Sequence, residues 1–544
     1  MILRTLALSL LLAPAFDAQL SSQGRPASFD TALPETLPVT FVERPDVATL
    51  LAEDEENGPF PFRYGTVEPV TLDAETHGLW EQLEDGTLVW RAEIAAAGAH
   101  SLGVLFGSFD LPAGGELYAY APDRSRVIGA FTEATEQPNG MLALQPFPGD
   151  RLVLEYVQPS EVRGWPSLTV ESVVYDYRNV LSEVTISEPV QARGPGCLVD
   201  VNCGQGQPYQ DIKRSVVGLF RGGFVCSGSL LNNTAQDGTP YLFTADHCGD
   251  FTNGSFLFNY ERPGCDSGMA TMTQFLSGAQ LLKRDSFVDA QLYRLNQALP
   301  AAYEPFLAGW NRAGSPGAPV VGISHPAGFP KKIQIDNDPP VSASQQRGVL
   351  WDLGEIRGGS SGSPLFDSNQ RVIGPLCCGA GACRVQTAFY GKFDDFYSRR
   401  SLAQYLDPLG TGATTLDGYD PFGGEAAVYN GSGSNPLIYA ADVPVRGATW
   451  NATVDTTSLP AAVSTILLAH AQADAGLVLG AGEVLIDLAS PLLFRSTAPV
   501  AGTSSAHSFL VANDPALVGA EAFSQALVLG GGVTASNGVR LRVQ

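Results

Sequence analysis

Short runs in which apolar and polar residues alternate recur through the first part of the chain. Between about residues 60 and 190 they include 87–92 and 151–157, and turns rich in proline and glycine separate them. Alternation with a period of two is typical of a strand that buries one face. Strands at this spacing predict a β-sandwich. The residues before it, 19–48, show no sustained period and are predicted to form an extended leader.

Two linkers separate this region from the rest of the chain. Residues 189–196 and 417–424 are rich in proline and glycine, which is typical of connecting segments. Between the linkers, runs such as 215–220 indicate further strands, and one helix is expected at about 398–406. Beyond the second linker, residues 426–544 hold apolar runs between glycine and proline breaks and predict a small β domain. The whole chain is therefore predicted to be all-β.

The first residues have the composition of a secretory signal peptide. A basic Arg4 precedes an apolar run from Leu6 to Leu12, and small residues at 13, 15 and 18 offer cleavage positions. The run is too short to cross a bilayer, which needs about 20 apolar residues. Residues 1–18 are therefore predicted to direct secretion. We expect an extracellular protein with no membrane span, and association with the cell surface stays open.

Charge and cysteine content narrow the possible partners and the compartment. Asp and Glu outnumber Lys and Arg by 56 to 32, which gives a formal net charge of −24. Such a charge argues against nucleic acid and against an anionic membrane surface as partners. All eight cysteines lie between residues 197 and 383. An even number in an exported chain predicts disulfides; a zinc site is the alternative, and the lack of any Cys-x-x-Cys pair weakens it.

Two motifs carry residues suited to nucleophilic catalysis. Thr244-Ala-Asp-His-Cys248 follows an apolar strand and places His247 beside a cysteine whose obvious partner is Cys226. A bridge there would hold a general base in register. Gly358-Gly-Ser-Ser-Gly-Ser-Pro364 forms the second motif, in which glycines allow a tight turn. Such a turn can expose the Ser361 Oγ and direct backbone N–H groups toward a developing oxyanion.

A carboxylate between the two motifs would complete a catalytic triad. Asp289 stands just before an alternating strand, and Asp285, four residues earlier, is the rival. Asp289 is favoured because Asp285 is expected in a polar turn. The predicted roles are His247 as base, Asp289 as its orienting acid and Ser361 as nucleophile. The N–H groups of Gly359 and Ser361 would form the oxyanion hole, and this mechanism requires no cofactor and no metal.

Residues 194–418 resemble the secreted bacterial lysyl endopeptidases, a branch of the chymotrypsin clan of serine proteases. The shared stretches are Cys226-Ser-Gly-Ser-Leu-Leu-Asn-Asn-Thr234, Leu242-Phe-Thr-Ala-Asp-His-Cys248, Ala308-Gly-Trp310, Ser324-His-Pro326, Gly359-Ser-Ser-Gly-Ser-Pro364 and Leu406-Asp-Pro408. Two earlier stretches, Ala99-His-Ser-Leu-Gly103 and Leu117-Tyr-Ala-Tyr-Ala-Pro122, look like the propeptide sandwich of the same enzymes. The resemblance implies a chymotrypsin-like double β-barrel, preceded by a β-sandwich prodomain and followed here by a small β domain. It also implies a serine endopeptidase acting on proteins or peptides.

The resemblance further implies how the cysteines pair and how the chain is processed. The implied bridges are Cys197–Cys383, Cys203–Cys265 and Cys226–Cys248. Cys377 and Cys378 are left over, and they either form a vicinal bridge or stay unpaired. Residues 19–193 would act as a propeptide that aids folding and inhibits the enzyme, and cleavage at Arg193–Gly194 would release it.

Specificity stays open between basic and apolar side chains. The acid with which the family recognises lysine is absent, because the matching positions here are Thr387 and Ala388. The candidate pocket residues are Glu355, Ile356, Cys378, Gly379 and Ala388. A buried Glu355 would demand a basic side chain, but Arg357 could neutralise it, and Ala388 would leave an apolar pocket.

Two other functions remain as alternatives. One is a catalytically inactive protease-fold binding protein, which the complete triad disfavours. The other is a surface-binding protein whose function depends mainly on residues 426–544.

Overall fold

The computed structural model describes residues 24–58, 61–181, 197–314, 316–380, 386–514, 517 and 519–544. The predicted signal peptide, the Arg193–Gly194 cleavage site and Cys383 lie outside the described residues. The chain divides into two compact units, one reaching to Tyr419 and the other covering Asp420–Gln544. Strands dominate both units, which confirms the predicted all-β class. Within the described ranges, no helix has the length and apolar character needed to cross a bilayer.

The N-terminal part forms two sheets that share one apolar core. Its strands are β1 (Val39–Phe41), β2 (Phe62–Arg63), β3 (Gly65–Asp73), β4 (Leu79–Gln82), β5 (Leu88–Ala95), β6 (Ser101–Asp110), β7 (Glu116–Tyr120), β8 (Val127–Phe131), β9 (Leu142–Ala143), β10 (Phe147–Pro148), β11 (Arg151–Gln158) and β12 (Ser167–Asp176). One sheet has the order β1-β5-β11-β7-β8 with β4 on β5, and the other has the order β10-β6-β12-β3 with β9 on β6. Apolar residues at alternate positions, such as Val170 on β12 and Leu154 on β11, fill the space between them.

The residues before the first long strand include a helix that the sequence did not predict. Helix α1 (Val47–Asn57) begins after Asp46, whose carboxylate accepts the Thr49 N–H and caps the first turn. Strand β1 also lies in this segment and pairs in parallel with β5. Only the first two residues of α1 fall within the leader predicted for residues 19–48, so most of the helix lies where no element was predicted. An N-cap followed by good helix formers outweighs there the lack of a strong apolar period.

The central region contains two further sheets. Its strands are β13 (Val199–Asp200), β14 (Val216–Arg221), β15 (Phe224–Leu231), β16 (Tyr241–Thr244), β17 (Ser255–Leu257), β18 (Phe275–Ser277), β19 (Ala279–Asp285), β20 (Ala290–Leu295), β21 (Gly309–Asn311), β22 (Val320–Ser324), β23 (Lys332–Asp336), β24 (Val341–Ser342), β25 (Gln346–Leu350), β26 (Pro364–Phe366), β27 (Arg371–Ala380), β28 (Thr387–Gly391) and β29 (Thr415–Leu416). The first central sheet has the order β18-β17-β14-β15-β16-β20-β19, with β2 added to β15. The second has the order β13-β23-β22-β26-β27-β28-β25-β24, and β21 and β29 extend it from β27.

The short helices of this region differ somewhat from expectation. The helix expected at about 398–406 is divided into α2 (Phe393–Arg399) and α3 (Ala403–Leu406). Ser401 between them has a positive φ of 54°, which no α-helix continues through. Single 3₁₀ turns connect other elements at Ala27–Phe29, Glu133–Thr135, Gly204–Tyr209, Ile212–Ser215, Asp246–Cys248, Ala301–Tyr303 and Pro326–Gly328.

The N-terminal sheets and the first central sheet share a single hydrophobic core. Trp90 and Phe106 of the N-terminal sheets belong to the same buried cluster as Phe220 and Leu257 of the first central sheet. Strand β2 crosses between the two regions by pairing antiparallel with β15. The N-terminal part is therefore packed onto the central region as one unit.

The second unit consists of strands as well. They are β30 (Glu425–Tyr429), β31 (Tyr439–Ala441), β32 (Thr449–Asp455), β33 (Ser464–His470), β34 (Ala473–Leu479), β35 (Gly482–Ile486), β36 (Leu492–Pro499), β37 (Ser504–Leu510), β38 (Glu521–Leu529) and β39 (Val533–Arg542). Buried and exposed residues alternate along β32. The hydrophobic core of this unit includes Trp450, Val454, Leu467 and Val539.

Candidate active site

The predicted base, His247, lies on a backbone that a disulfide anchors. Strand β16 leads directly into the 3₁₀ turn Asp246–Cys248, and Cys248 is bridged to Cys226 on the neighbouring β15. The predicted Cys203–Cys265 bridge is present as well, so these four cysteines form disulfides rather than a zinc site. Cys197 is also disulfide-bonded, but its predicted partner lies outside the described residues.

Asp289 binds His247 through both of its carboxylate oxygens. The Oδ2 atom lies 2.7 Å from Nδ1 of the imidazole, and the Oδ1 atom accepts the backbone N–H of His247 at 2.8 Å. One carboxylate thus fixes both the ring and the backbone that carries it. Nδ1–H donates to Asp289, which leaves Nε2 as the acceptor that a general base requires.

Asp289 is held in an uncommon backbone conformation and stays ionised. Its φ of 53° lies in the left-handed region, in the turn between β19 and β20, and such conformations persist where the surrounding structure determines them. Burial opposes ionisation of the carboxyl group, but hydrogen bonds from His247 outweigh burial, so the pKa of Asp289 is lowered. A carboxylate in this state is suited to stabilise a positively charged imidazole ring.

The rival carboxylate, Asp285, has a different role. Its side chain is fully buried at the end of β19. There Oδ2 accepts a hydrogen bond from the Arg399 Nε at 2.9 Å and forms an ion pair with the Arg400 Nε, also at 2.9 Å. The expectation that Asp285 lies in a polar turn is therefore wrong. Its two arginine partners follow it in the chain by more than a hundred residues, so no local pattern could reveal them. Of the two acids, the structure brings Asp289 to the histidine.

Ser361 lies on the tight turn that precedes β26, with its hydroxyl group unpaired. Among the described residues, neither the Ser361 Oγ nor the His247 Nε2 has a hydrogen-bond partner, although both atoms are buried. The backbone of this turn is held on both sides. Ser227 N–H donates to the Ser361 carbonyl and Gly362 N–H donates to the Leu376 carbonyl, both at 2.8 Å. A Cβ at Gly362 would lie 2.9 Å from the Ala245 nitrogen, so this turn packs directly against the His247 loop.

The predicted oxyanion hole depends on a glycine that no other residue could replace. Gly359 has a φ of 92°, and a Cβ there would lie 2.7 Å from the carbonyl oxygen of His325. The N–H groups of Gly359 and Ser361 donate no hydrogen bond within the part of the chain that the structure describes. Buried donors are rarely left unpaired, and two unpaired N–H groups beside an unpaired serine hydroxyl are suited to bind a negatively charged oxygen.

Ser227 is a residue of the candidate site that the sequence analysis did not single out. Its Oγ donates to the Gly359 carbonyl at 2.9 Å and accepts the His325 N–H at 2.9 Å. Strand β15 therefore connects to the histidine through Cys226 and to the nucleophile turn through Ser227. Its position directly after Cys226 was the one signal available in the sequence. His325 itself is buried and stacks on Tyr260 with ring centroids 5.9 Å apart, and burial lowers its pKa to about 3.

Cys377 is the second residue whose proximity to the site the sequence did not reveal. Its thiol helps to lower the pKa of the Asp289 carboxyl group, which burial raises and His247 lowers more strongly. Cys377 and Cys378 are both free cysteines in this structure, with their sulfur atoms 2.8 Å apart. Of the two states left open by the sequence, the structure has the unpaired one.

The residues predicted to line the substrate pocket are mostly buried. Glu355 is fully buried, and its carboxylate accepts from the Arg357 Nε at 2.6 Å. Ile356 and Ala388 belong to an apolar cluster of the second central sheet, and the Ile356 side chain fills the space beside the Gly379 α-carbon. The wall of the candidate pocket is therefore apolar, and its one carboxylate pairs with a neighbouring guanidinium group.

Comparison with known proteins finds a family similarity in the central region of the chain. Residues 193–398 match the family model described as the C-terminal domain of lysyl endopeptidase. A lysyl endopeptidase from Pseudomonas aeruginosa is 27% identical over 292 residues, which cover 48% of this chain and 62% of that protein's length. The chain thus spans less than two thirds of this curated relative.

Several solved structures align with part of the chain. The active form of the Rv3671c protease from M. tuberculosis is 18% identical and covers 35% of this chain and 81% of its own, with a TM-score of 0.25. A thermostable serine protease, AL20, from an extremophilic microorganism is 16% identical and covers 37% of this chain and 99% of its own, with a TM-score of 0.26. The family model and the curated relative confirm the predicted resemblance: the central region of this chain is similar to the lysyl endopeptidases.

Proposed function

We propose that this protein is a secreted serine endopeptidase that cleaves peptide bonds through an acyl-enzyme. One observation carries the proposal: the loop with the Asp289–His247 pair packs against the turn that holds an unpaired Ser361 Oγ and two unpaired N–H groups. Each of these groups costs free energy when buried without a partner, and together they are the groups that acyl transfer uses. The similarity to a lysyl endopeptidase supports the same activity.

The geometry supports the following sequence of steps. The His247 Nε2 takes the proton of the Ser361 hydroxyl as the Oγ attacks the scissile carbonyl carbon. The negative oxygen of the tetrahedral intermediate accepts hydrogen bonds from the Gly359 and Ser361 N–H groups. His247 then donates its proton to the leaving amine, and an acyl-enzyme remains. Water, activated by the same histidine, releases the acid and restores Ser361.

Labelling with an organophosphorus reagent tests this proposal. The processed protein should gain one phosphonyl group on Ser361, and Ser361→Ala and His247→Ala variants should gain none. A Ser398→Ala variant, altered at an exposed serine on α2, serves as the matched control and should label normally. Correctly processed protein that remains unlabelled while still folded would contradict the proposal.

Within this function we propose an apolar rather than a basic preference at the substrate residue before the cut. The pairing of buried Glu355 with Arg357 supports this proposal, because it removes the need for a substrate cation. Ile356 and Ala388 supply apolar contact area beside Gly379. The acid that the family uses to recognise lysine has no counterpart at Thr387 and Ala388.

We also propose that the N-terminal part acts as an intramolecular inhibitor until it is cleaved. Strand β2 adds to β15 at Phe224 and Val225, directly before the cysteine that anchors the His247 loop. The Gly223 carbonyl accepts the Tyr64 N–H at 2.7 Å. Extended peptides bind protein edges by this kind of strand addition. Because Val225 directly precedes that cysteine, we infer that the leaving-group side of a substrate would run along this edge, where β2 would block it.

The contact of β2 with the sheet depends on one arginine that can be tested. Arg63 donates to Asp54 at 2.6 Å and pairs with Glu53 at 3.0 Å, which ties β2 to helix α1. An Arg63→Ala variant of the unprocessed chain should show higher residual peptidase activity than the unprocessed parent. An Arg163→Ala variant, which removes an exposed arginine, is the control. Equal residual activity in all three chains would contradict inhibition through β2.

The inactive binding protein gains no specific support, since the proposed site has its full set of catalytic groups. The role of residues 426–544 in sorting or surface binding stays a prediction.

A further inference from the structure

Two buried residues of β20 bind the loop that carries His247, although they have no part in the catalytic steps. Gln291 and Tyr293 are fully buried. They lie at alternate positions of the strand, so their side chains share one face of the sheet. Asp289 stands two residues before Gln291. The segment that supplies the orienting carboxylate therefore supplies two further polar side chains to the same loop.

The amide of Gln291 binds the residue directly before the histidine. Its Nε2 atom donates to the Asp246 Oδ1 at 2.8 Å and lies 3.4 Å from the Asp246 carbonyl oxygen. Asp246 is buried, and its carboxylate also pairs with Arg284 on β19. A carboxylate that pairs with an arginine only accepts hydrogen bonds, so the amide nitrogen of Gln291 must face it, and the amide oxygen faces the other way.

Tyr293 binds that amide oxygen. Its hydroxyl group has a single proton and lies 2.6 Å from the Gln291 Oε1 and 3.2 Å from the Gly249 carbonyl oxygen. The shorter distance assigns the proton to Gln291. The hydroxyl oxygen also accepts the Phe251 N–H at 3.3 Å. Tyr293 therefore donates to one partner and accepts from another, which is within the capacity of a hydroxyl group.

The loop is thus held at three points along its length. The loop residues and their partners are Asp246 with Gln291, His247 with Asp289, and Phe251 with Tyr293. Strand register brings these groups together, because Gln291 is paired with Thr244, the last residue of β16, and with Arg284 on β19. A shift of the loop would break hydrogen bonds that are shielded from water, where their loss costs most.

We propose that Gln291 is a positioning residue for His247, and that it acts by joining the Asp246 carboxylate to the Tyr293 hydroxyl group. The inference rests on the proposed function, because the position of His247 affects a rate only if the imidazole acts as a base. Asp289 fixes the ring, whereas Gln291 fixes the start of the 3₁₀ turn that carries the ring. A displacement of about 1 Å in such a site can cost about a hundredfold in rate.

A purely structural role for Gln291 leads to a different expectation. If the network only stabilised the fold, its removal would lower the free energy of unfolding and leave kcat of the folded enzyme unchanged. If Gln291 positions the base, kcat falls in enzyme that is still folded. KM should change little in that case, because a fully buried amide does not touch the substrate.

Two variants, introduced into the full chain and studied after processing, separate these roles. Gln291→Leu removes the amide at similar volume and should lower kcat about 10- to 100-fold, with KM within about twofold of the parent. Tyr293→Phe leaves the bond from Gln291 to Asp246 in place and should lower kcat by about three- to tenfold. Tyr303→Phe is the matched control. It removes the hydroxyl of another buried tyrosine, which donates to the Phe275 carbonyl at 3.2 Å, and should keep the parent kcat.

A proton NMR signal provides a readout that requires no substrate. The Nδ1–H proton of an imidazole that donates to a carboxylate resonates far downfield of other protons. In the parent and in Tyr303→Phe the His247 signal should be the same, and in Gln291→Leu it should move upfield or broaden through exchange with water. Thermal unfolding of each variant reports whether it folds. Should Gln291→Leu not fold, Tyr293→Phe is the smaller change and answers the same question.

The inference is overturned if folded Gln291→Leu enzyme keeps kcat within about twofold of the parent. It is also overturned if Tyr293→Phe is no slower than Tyr303→Phe, or if the Nδ1–H signal of Gln291→Leu matches that of the parent. Failure of the proposed function gives a different result. A parent protein that neither hydrolyses peptides nor reacts with an organophosphorus reagent would contradict the peptidase, while the NMR comparison would still report whether Gln291 positions the ring.

Discussion

The two halves of the candidate site lie on different sheets and are built in different ways. On the first central sheet, side chains hold the base: a disulfide anchors the His247 loop, and both oxygens of Asp289 bind it. On the second, backbone geometry forms the nucleophile turn, in which Gly359 has a positive φ and the N–H groups are left unpaired. The base side should therefore depend on specific partners, and the nucleophile side on the conformation that glycine allows.

The largest effect should follow from removing the nucleophile itself. We expect Ser361→Ala to lower kcat roughly 10⁶-fold, since a triad serine acts together with its base. Steady-state hydrolysis of a peptide substrate, with thermal unfolding as a check on folding, measures this. Ser398→Ala is the matched control, and residual activity of Ser361→Ala within about a hundredfold of the parent would contradict the assignment.

The two acidic residues on the base side offer a paired test. Asp289→Asn should lower kcat about 10⁴-fold with the fold retained, because the imidazole loses its correct tautomer. Asp285→Asn should instead lower the free energy of unfolding, because two arginines lose a buried partner. Measurement of kcat and of chemical denaturation for both variants separates the roles. If Asp285→Asn were the slower enzyme, the assignment would be reversed.

The lowered pKa of Asp289 also predicts how stability depends on pH. Since the folded-state pKa lies below the unfolded value, the carboxylate stabilises the folded protein above the unfolded pKa. That contribution is lost as the pH falls through the folded pKa. In Asp289→Asn this part of the acid destabilisation should be missing, and denaturation curves between about pH 6 and pH 2 would detect it.

On the nucleophile side, the substitution of Gly359 by alanine adds a single methyl group and tests the conformation of the turn. Gly359→Ala should lower kcat about 10²- to 10³-fold, because a Cβ would meet the His325 carbonyl and displace an oxyanion donor. Gly410→Ala is the matched control: its φ of 65° is also positive, but nothing lies within 4 Å of its Cβ position. Equal rates for the two variants would show that the turn tolerates a side chain at Gly359. The nucleophile side would then not depend on the conformation that glycine allows.

The two described disulfides should differ in what their removal costs. The Cys203–Cys265 bridge spans 62 residues and the Cys226–Cys248 bridge spans 22. The chain-entropy model gives losses of about 4 and about 3 kcal/mol of unfolding free energy, respectively. Turnover should show the reverse order, because only Cys226–Cys248 anchors His247. Double alanine variants, compared by denaturation and by kcat under conditions where both remain folded, test this, and parallel losses would count against it.

The smallest effect is expected in the pocket. Glu355→Gln should leave the preferred substrate side chain unchanged, because Arg357 already pairs with the carboxylate. Cleavage of a mixed peptide library by parent and variant measures this preference. If the variant selectively lost cleavage after arginine, the proposed apolar preference would be wrong and a basic preference would be supported instead.

Local pattern was enough to identify much of the molecule. Alternating apolar residues indicated the strands, and the Cys248 and glycine-rich motifs singled out His247 and Ser361. These features are local, because a strand's buried face and a tight turn depend on residues a few positions apart. The sequence analysis missed helix α1 and the break between α2 and α3. The local sequence signals for a helix start and for a helix end are weak at these two places.

The sequence by itself determined which residue types are present for the chemistry, and the tertiary structure decided which of them meet. Asp285 and Asp289 are only four residues apart in the chain, yet they have different partners. The packing of the sheets places Asp289 beside His247 and Asp285 beside Arg399 and Arg400. The hydrogen bond from Ser227 to the Gly359 carbonyl and the pairing of β2 with β15 join residues far apart in sequence. Long-range partners follow from how whole sheets pack around shared cores, and no short sequence pattern records that choice.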